Sequence, residues 1–354
     1  MNPPSFDLSN VDLKNNNKQI ERLSKDVIPG AIKEYLGAKI DKVNIYVYKS
    51  SLVNLIFQEK LLGNLIADEN YDCVHFINLS SIYLPIINQN KIKKIICSIH
   101  ESNVDNAYKK GELFKNLIKY IQIRRAKKNI KYFNYITFFS ENEREKFLDN
   151  FDSFRNKSCV IKFGLFETFK YFPLLQNQFS NISSDYFLYI GYIRPYKGVD
   201  FLLEAIKNNI ELHDIKFVIA GKDEMKLMNS NVLPNVTYIN RFLNDSEIAT
   251  LVNNSKAVIL PYQSASQSGL PNVAFSFKKP VINSRIDGLK EYLIDNYNSL
   301  SFEVNNEEEL VVAILKLQKI EILKFIQSKI ENCPFKEDLS WRKIALSFYN
   351  IIKF

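Results

Sequence analysis

Two cations, Arg194 and Lys197, lie three residues apart in the stretch YIGYIRPYKGVDFL, just after an apolar run that ends at Gly191. A guanidinium offers a planar fork of donors to phosphate oxygens, and an ammonium offers a compact point charge. Together they would suit a diphosphate, although a solvated basic turn would show the same pattern. The spacing therefore predicts an anion site at this turn.

A second stretch, SASQSGLPN, is polar and uncharged, and it lies between the apolar run KAVILP and a helical pattern. The first turn of a helix has free N–H groups and about half a positive charge. Small side chains let a phosphate approach those groups, whereas a carboxylate would repel it. The stretch is therefore predicted to bind phosphate, and a polar helix cap without a ligand is the alternative.

Short apolar runs and amphipathic helical patterns alternate along the second half of the chain, which is typical of a doubly wound parallel sheet. The predicted strands cover residues 186–191, 216–221, 236–240, 256–261 and 280–284. The predicted helices cover residues 198–208, 223–229, 244–254, 270–278, 287–294 and 306–329. Both polar stretches then follow the carboxyl ends of strands, where such sheets bind ligands.

The first half shows the same alternation with less regularity. Its predicted strands cover residues 42–48, 71–78, 93–100, 135–140 and 159–163. Ser140 and Glu143 have the spacing of a capping box, which predicts a helix that opens after Ser140. No apolar run precedes MNPPSFDLSN, so either the first strand is missing or the chain begins in an irregular arm.

The composition predicts a globular protein with two domains. The chain has 354 residues, of which 46% are apolar and 24% charged, and a domain holds roughly 100–200 residues. The four cysteines form no CxxC pair, which indicates reduced thiols and a cytoplasmic location. No apolar run is long enough to predict a membrane span.

The net charge of +8 belongs to the first half of the chain. Residues 1–165 hold 26 Lys and Arg against 18 Asp and Glu, whereas the remainder is balanced. Nine of these cations lie in residues 109–131, beside a helical stripe of apolar residues. Such a helix would suit the anionic inner face of the cytoplasmic membrane, and a sheet-packing helix with a solvated basic face is the alternative. No aromatic–basic interleaving accompanies the charge, so nucleic acid is not a predicted partner.

The two polar loops and their surroundings resemble the retaining GT-B fold glycosyltransferases of the large group 1 (family four) type, in a branch with a Ser-Gln-Ser-Gly turn. The likeness rests on IGYIRPYKGVDFLLEA, on ILPYQSASQSGLPNVAFSFKKPVINSRIDGLKEYL and on SWRKIALSFYN. It covers the second half almost end to end, and in the first half it is limited to VHFIN, SIHES and TFFSENEREKFL.

This resemblance implies an α/β fold with two Rossmann-like domains facing a cleft. The implied parts are an acceptor-binding domain at 1–165, a linker at 166–185, a nucleotide-sugar-binding domain at 186–335 and, at 336–354, a helix that crosses back to the N-terminal domain. No metal is implied, and no Asp-x-Asp pair lies near a predicted strand end. The nucleotide sugar is a substrate, so no cofactor is expected.

The resemblance also implies roles for individual residues. Arg194, Lys197 and His100 of SIHES are implied as catalytic. The implied donor-binding residues are Gly191, Asn240, Arg241, Phe242, Ser266, Gln267, Ser268, Gly269, Leu270 and Glu291, the last in a helix. Many relatives carry a Glu shortly after the glycine that corresponds to Gly269, and this chain has Val273 there. The other histidines are read differently, His75 as a structural strand residue and His213 as a solvated one.

The implied reaction moves a sugar from a nucleotide sugar to a hydroxyl of a glycan or lipid-linked acceptor, with retained anomeric configuration. UDP is favoured over GDP as the carrier, and bacterial surface polysaccharide biosynthesis is the expected setting. Two alternatives stay open. One is a non-catalytic scaffold of the same fold, suggested by the missing Glu, and the other is a sugar-nucleotide epimerase.

Overall fold

The computed structural model describes residues 20–22, 46–48, 73–77, 93–100, 130–182, 184–230, 233–333 and 337–353. The chain divides into two compact units. The C-terminal unit contains Gly164–Ser340, and the N-terminal unit contains Ser9–Ser24, Asn44–Phe163 and Trp341–Phe354. The basic segment 109–131 lies almost wholly outside the described residues, so its predicted membrane role stays a prediction.

The N-terminal unit contains an antiparallel pair, β1-β2, and a parallel sheet in the order β3-β4-β5-β6. The strands are β1 (Ile20–Arg22), β2 (Tyr46–Tyr48), β3 (Cys73–Ile77), β4 (Lys94–Ile99), β5 (Tyr135–Phe138) and β6 (Ser158–Val160). The sequence pattern does not predict strand β1. Ser140 caps helix α1 (Glu141–Leu148) by accepting a hydrogen bond from the Glu143 N–H at 3.3 Å, which confirms the predicted helix start.

The core of the C-terminal unit is a parallel sheet in the order β12-β11-β10-β7-β8-β9. Its strands are β7 (Tyr186–Ile190), β8 (Phe217–Ala220), β9 (Val236–Ile239), β10 (Ser255–Leu260), β11 (Val281–Ser284) and β12 (Ser299–Phe302). Strands β7, β8, β10 and β11 are buried along their whole length, as expected of a sheet with helices on both faces. Strand β12 is missing from the predicted set because SLSF is short and half polar.

The strand order reverses between β7 and β10. From β7 the chain continues to β8 and β9 on one side, and from β10 it continues to β11 and β12 on the other. In a doubly wound sheet, the loops after two such strands diverge and leave a crevice that binds ligands. The loop after β7 holds Arg194 and Lys197, and the loop after β10 holds residues 261–269.

The helices of the C-terminal unit follow the predicted order with two differences. They are α2 (Val199–Asn208), α3 (Leu227–Ser230), α4 (Asp245–Asn254), α5 (Leu270–Ser276), α6 (Glu307–Gln318) and α7 (Ile320–Glu331). The predicted helix at 306–329 is two helices, because Lys319 adopts an extended conformation that no sequence signal marks. The predicted helix at 287–294 is wrong, since only a single 3₁₀ turn, Asp287–Leu289, forms there.

The side chain of Asn298 explains the missing helix. Its Oδ1 accepts a hydrogen bond from the Ile294 N–H at 2.8 Å, and its Nδ2 donates to the Tyr292 carbonyl at 2.8 Å. These bonds satisfy backbone groups that a helix would pair internally. Glu291 therefore lies in a turn, which corrects its predicted place in a helix.

The segment 166–185, predicted as a linker, packs as part of the C-terminal unit. The segment forms two short 3₁₀ turns, and the side chains of Phe169 and Phe179 are buried. The Leu175 N–H donates to Thr250 Oγ1 of α4 at 2.8 Å. The C-terminal unit thus begins near residue 164 rather than near 186.

The last helix, α8 (Trp341–Lys353), belongs to the N-terminal unit. Lys94 Nζ of β4 donates to the Ile351 carbonyl at 2.6 Å, and the His75 ring lies 4.7 Å from the Phe348 ring. His75 Nε2 is also 2.7 Å from Ser98 Oγ, which confirms that His75 is a structural strand residue. No helix among the described residues combines the length and apolar character that crossing a membrane requires.

All four cysteines carry free thiols, as their spacing predicts. Cys97 is completely buried in β4, and burial raises the pKa of its thiol to about 12. Cys73 and Cys159 are partly buried, and burial raises their pKa values too. These thiols are therefore protonated and unreactive near neutral pH.

Candidate functional site

Close backbone approaches hold the ligand loops of the C-terminal unit together. A Cβ at Gly198 would lie 1.9 Å from the carbonyl oxygen of Pro261, and a Cβ at Gly288 would lie 2.0 Å from that of Ala265. Both positions therefore require glycine, because any side chain would collide with backbone. These contacts seat the loop after β10 between the loop after β7 and the turn after β11.

The loops after β7 and β8 continue the pairing of their strands. The Ile193 N–H donates to the Lys222 carbonyl at 2.9 Å, and the Glu224 N–H donates to the Ile193 carbonyl at 3.2 Å. This register places Glu224 beside Arg194, although thirty residues separate the two in the chain. The loop after β8 therefore shapes the site together with the two loops that the sequence identifies.

Arg194 is held by a bidentate ion pair. Its Nε and one terminal nitrogen each donate to a Glu224 carboxylate oxygen at 2.9 Å, and its guanidinium lies 4.7 Å from the centre of the Tyr192 ring. Hydrogen bonding to Glu224 raises the pKa of Arg194 above its ordinary value. Arg194 is thus at the predicted loop, and its fork is occupied by a carboxylate of the protein.

Lys197 has a different environment. Its Nζ lies 3.6 Å from the centre of the buried Tyr262 ring and 5.2 Å from the centre of the Tyr196 ring. Burial lowers the pKa of Lys197 to about 8. Among the residues that the structure describes, no carboxylate lies within ion-pair distance of this ammonium. A partly buried cation over aromatic rings, without a carboxylate partner among the described residues, suits an incoming anion.

Lys197 is linked to the predicted phosphate loop through Tyr262. The Tyr262 hydroxyl is hydrogen-bonded to the side chain of Ser268, which is itself buried. The two loops also share a backbone bond, in which the Gln263 N–H donates to the Tyr196 carbonyl at 2.9 Å. The structure therefore brings Lys197 and Ser268 together, as the two sequence stretches predict.

The rest of the predicted phosphate loop leads directly into helix α5. Ser266 and Gln267 are half-buried, and Gly269 is the first residue before the helix, without a side-chain cap. The Leu270 N–H faces Ser268 Oγ at 3.4 Å. Val273, which stands where many relatives carry a Glu, is fully buried, so a carboxylate there would enter the core rather than the loop.

The stability of the protein should change with pH through Lys197. The unfolded chain keeps the ordinary lysine pKa of 10.5, whereas burial lowers it to about 8 in the folded protein. Between these values the unfolded state binds a proton that the folded state lacks, so the free energy of unfolding should rise with pH. We expect this contribution to approach about 1.4 kcal/mol per pH unit.

Urea unfolding of the natural protein and of Lys197→Met, from pH 7 to pH 10, measures this contribution. The variant lacks the ammonium but keeps the other titrating groups, so their contributions cancel in the difference between the two proteins. A difference that stays constant over this range would show that Lys197 titrates normally.

Three predicted donor-binding residues follow β9, and two of them have structural partners. Asn240 Oδ1 accepts a hydrogen bond from the Asp223 N–H at 3.0 Å. Arg241 forms a bidentate ion pair with the buried Glu247 at 2.7 and 2.8 Å, and Glu247 also closes the capping box of α4. All three residues are exposed, and Phe242 is a large apolar residue with 60% of its surface exposed.

His100 ends β4 in the N-terminal unit, where it lies among aromatic rings. Its ring centre is 4.5 Å from that of Phe139 and 5.4 Å from that of Phe163, and these two rings are stacked on each other at 4.0 Å. Burial lowers the pKa of His100. The imidazole is therefore neutral near pH 7 and oriented by its ring contacts.

Sequence reasoning misses several residues of this site. Glu224, Tyr192, Tyr196 and Tyr262 surround the two cations, and none of them is among the predicted site residues. The tyrosines alternate with the cations in YIRPYK and open the loop in LPYQ, which is a signal for cation–π contacts. His213 is exposed, as predicted, and the predicted residue Gly191 ends β7 with a φ of 140°.

The comparison with known families matches this same region. Residues 175–330 match the family described as Glycosyl transferases group 1. The match covers less than half of the chain. It includes strands β7 to β12 and every residue that contacts Arg194 and Lys197 above, so both loops lie in a segment that is similar to the group 1 glycosyltransferases.

Curated relatives of this chain are named as glycosyltransferases. An uncharacterised glycosyltransferase of Methanocaldococcus jannaschii is 32% identical over 161 residues, which cover 45% of this chain and 45% of that protein. The alignment thus spans about half the length of this relative. It supports the family of the segment and leaves the activity of the whole chain to be proposed.

Solved structures share the fold over most of the chain. Sucrose-phosphate synthase from Thermosynechococcus elongatus aligns with a TM-score of 0.63 at 14% identity, over 86% of this chain and 80% of that one. The Anabaena protein HepE, in complex with UDP, aligns with a TM-score of 0.65 at 12% identity, over 86% and 84%. The α/β fold with parallel sheets is that of the GT-B glycosyltransferases, as the sequence predicts.

Proposed function

We propose that this protein is a retaining glycosyltransferase that moves a sugar from a nucleotide sugar to a hydroxyl acceptor. UDP is favoured over GDP as the carrier of the sugar. The observation that carries this proposal is the ammonium of Lys197. It lies partly buried over the Tyr262 ring, in the loop after β7 where the order of the strands reverses, within the segment that matches the group 1 glycosyltransferase model. A cation without a carboxylate partner among the described residues fits the diphosphate of such a donor at that position.

The chemistry that these residues supply is electrostatic. Breaking the bond between the anomeric carbon and the diphosphate oxygen leaves negative charge on the departing diphosphate. Lys197 would stabilise that charge in a site already shaped for it. The acceptor oxygen attacks the anomeric carbon on the same face, and its proton passes to the departing phosphate. No side-chain nucleophile and no metal ion enters this scheme.

Arg194 takes part by exchanging one anion for another. In the protein without ligand its fork is bound to Glu224. A diphosphate would displace the Glu224 carboxylate or share the guanidinium with it. The energy lost with the Glu224 bonds would offset part of the energy gained by binding the diphosphate. Lys197 has no such competitor among the described residues, so we assign it the larger share of donor stabilisation.

The base of the nucleotide would lie near Phe242. This exposed ring meets the Tyr192 ring edge to face, with their centres 5.4 Å apart, and Tyr192 in turn lies against Arg194. The pair offers an apolar surface beside the cations of the same unit. UDP is the first choice of carrier because HepE, of the same fold, is described in complex with UDP.

A thermal-shift screen with UDP-, GDP-, ADP- and CMP-sugars tests donor binding. A ligand that binds only the folded state raises the free energy of unfolding by mass action, by about 2.7 kcal/mol at a hundred times its dissociation constant, and so raises the melting temperature. We expect one class of nucleotide to raise it. Slow hydrolysis of that donor without acceptor would identify an enzyme, and absence of any shift would contradict the proposal.

A non-catalytic scaffold is the second candidate. It is favoured by the ion pair that occupies Arg194 and by the buried Val273 in place of a carboxylate. Donor binding without hydrolysis or transfer would identify the scaffold. Release of a donor with one inverted stereocentre would instead identify an epimerase, for which the site offers no evident acid–base pair.

We also propose the finer assignments that the resemblance implies. His100 is proposed to contact the donor sugar, and Glu291 the donor. The proposed acceptor is a glycan or a lipid-linked sugar in surface polysaccharide biosynthesis, made on the inner face of the cytoplasmic membrane. These assignments rest on the resemblance alone.

A further inference from the structure

Helix α8 has an exposed face with an unusual composition. Its thirteen residues, WRKIALSFYNIIK, contain three cations and no carboxylate. Ile344 is buried and Phe348 packs near His75, so these residues mark the inward side. The outward side carries large apolar residues between cations, which separates it from an ordinary solvated helix face.

The apolar residues of this face are well exposed. Tyr349 exposes 57% of its surface and Leu346 exposes 51%, whereas Trp341 exposes 41% and Ile352 38%. At 100° per residue, these side chains and the cations Arg342 and Lys353 share one side of the helix. We name this surface, Trp341, Arg342, Leu346, Tyr349, Ile352 and Lys353, the α8 face.

The charge of the whole N-terminal unit complements an anionic partner. Its segments, Ser9–Ser24, Asn44–Phe163 and Trp341–Phe354, hold 25 Lys and Arg against 14 Asp and Glu, a net charge of +11. The entire chain has a net charge of only +8, so the rest of it is slightly acidic. A helix without carboxylates, on the basic unit, faces an anionic surface favourably.

We propose that the α8 face docks on an anionic lipid surface. Trp and Tyr favour the boundary between headgroups and acyl chains, and Leu and Ile bury apolar area there. Arg342 and Lys353 would meet anionic headgroups, at about 1 kcal/mol for each cation near the surface. The proposed surface consists of α8 residues alone and includes no residue of the donor loops or of the segment 109–131.

A second copy of this chain is a less suitable occupant. In a symmetric dimer through this face, the same cations would approach each other. The helix has no carboxylate to pair with them. An anionic membrane neutralises these cations instead and accepts the apolar side chains between them.

The chain provides its own reporter, because Trp341 is its only tryptophan. We expect emission from the native full-length protein to shift to shorter wavelength on addition of phosphatidylcholine vesicles that contain phosphatidylglycerol. Vesicles of phosphatidylcholine alone should leave it unchanged. Lipids brominated along the acyl chain should quench the shifted emission, since the ring would lie at their depth.

Two variants test which surface binds. Leu346→Glu combined with Tyr349→Glu should lower the bound fraction in vesicle sedimentation by about tenfold or more. Phe325→Glu is the matched control, because Phe325 exposes a similar 53% on α7 of the other unit, and it should bind as the natural protein does. Unchanged melting temperatures establish that both variants fold.

Three outcomes would overturn the proposal. One is no binding to the anionic vesicles, and another is sedimentation with an unchanged Trp341 spectrum, which would indicate another surface such as 109–131. The third is a spectral shift that depends on protein concentration without vesicles, which would indicate a second copy. The measurement uses no donor, so its result is independent of the thermal-shift test of the proposed function.

Discussion

Lys197→Met should lower kcat by about a hundredfold or more, which corresponds to about 2.7 kcal/mol of lost transition-state stabilisation. The variant keeps most of the side-chain volume over the Tyr262 ring and removes only the charge. Because that charge is partly buried without a carboxylate partner among the described residues, its loss should leave the melting temperature at pH 7 unchanged or higher.

Steady-state kinetics with the nucleotide sugar found in the screen, together with thermal unfolding, checks both parts. Lys222→Met is the matched control, since Lys222 is an exposed cation on the neighbouring loop after β8. Its kcat should stay within about twofold of the natural value. Full turnover by Lys197→Met would refute the role assigned to this residue, and a large fall in melting temperature would assign Lys197 to stability instead.

Gly198→Ala should both destabilise the C-terminal unit and impair donor binding. Gly198 adopts a left-handed φ of 63°, which costs an alanine about 1–2 kcal/mol. The added Cβ would also lie 1.9 Å from the Pro261 carbonyl oxygen, and overpacking of this kind costs about 1–3 kcal/mol more. The melting temperature should fall by roughly 5–15 °C.

Gly191→Ala separates the two causes. Gly191 has a φ of 140°, which alanine rarely adopts, yet the nearest atom to its added Cβ, the Tyr189 hydroxyl, is 3.8 Å away. This variant should lose stability through backbone strain alone and keep the spacing of the two ligand loops. Differential scanning calorimetry and donor titration measure both effects. If Gly198→Ala binds donor as the natural protein does, the Gly198–Pro261 approach does not position the site.

The sequence predicts the parts of the site that depend on neighbouring residues. Arg194 and Lys197 follow a strand and precede a helix, and the stretch that contains Ser268 does the same. Strand length, helical period and glycine positions are local signals, so the sequence predicts both ligand loops and five of the six strands of the C-terminal sheet, all except β12. The Ser140 cap of α1 is another local signal that the structure confirms.

The partners of the predicted residues depend on how distant segments pair in the fold, so they could not be predicted from the sequence. Glu224 meets Arg194 only because the loops after β7 and β8 continue their parallel pairing. Arg241 was predicted to bind the donor, yet it pairs with Glu247, whose burial follows from the packing of α4. The extended residue Lys319 likewise has no marker in the sequence. Long-range contacts of this kind decide which cations pair with a carboxylate of the protein and are therefore less available to a ligand.

The position of the two ligand loops in the sheet has a consequence for local opening. Both follow the central strands β7 and β10, whereas β9 and β12 lie at the edges. Core strands open at higher free energy than the periphery of a domain, so the ends of central strands exchange hydrogen more slowly than edge strands. Amides at the ends of β7 and β10, where the two loops begin, should therefore still resist exchange when the edge strands β9 and β12 have opened. A molecule with opened edge strands would still hold Lys197 over the Tyr262 ring.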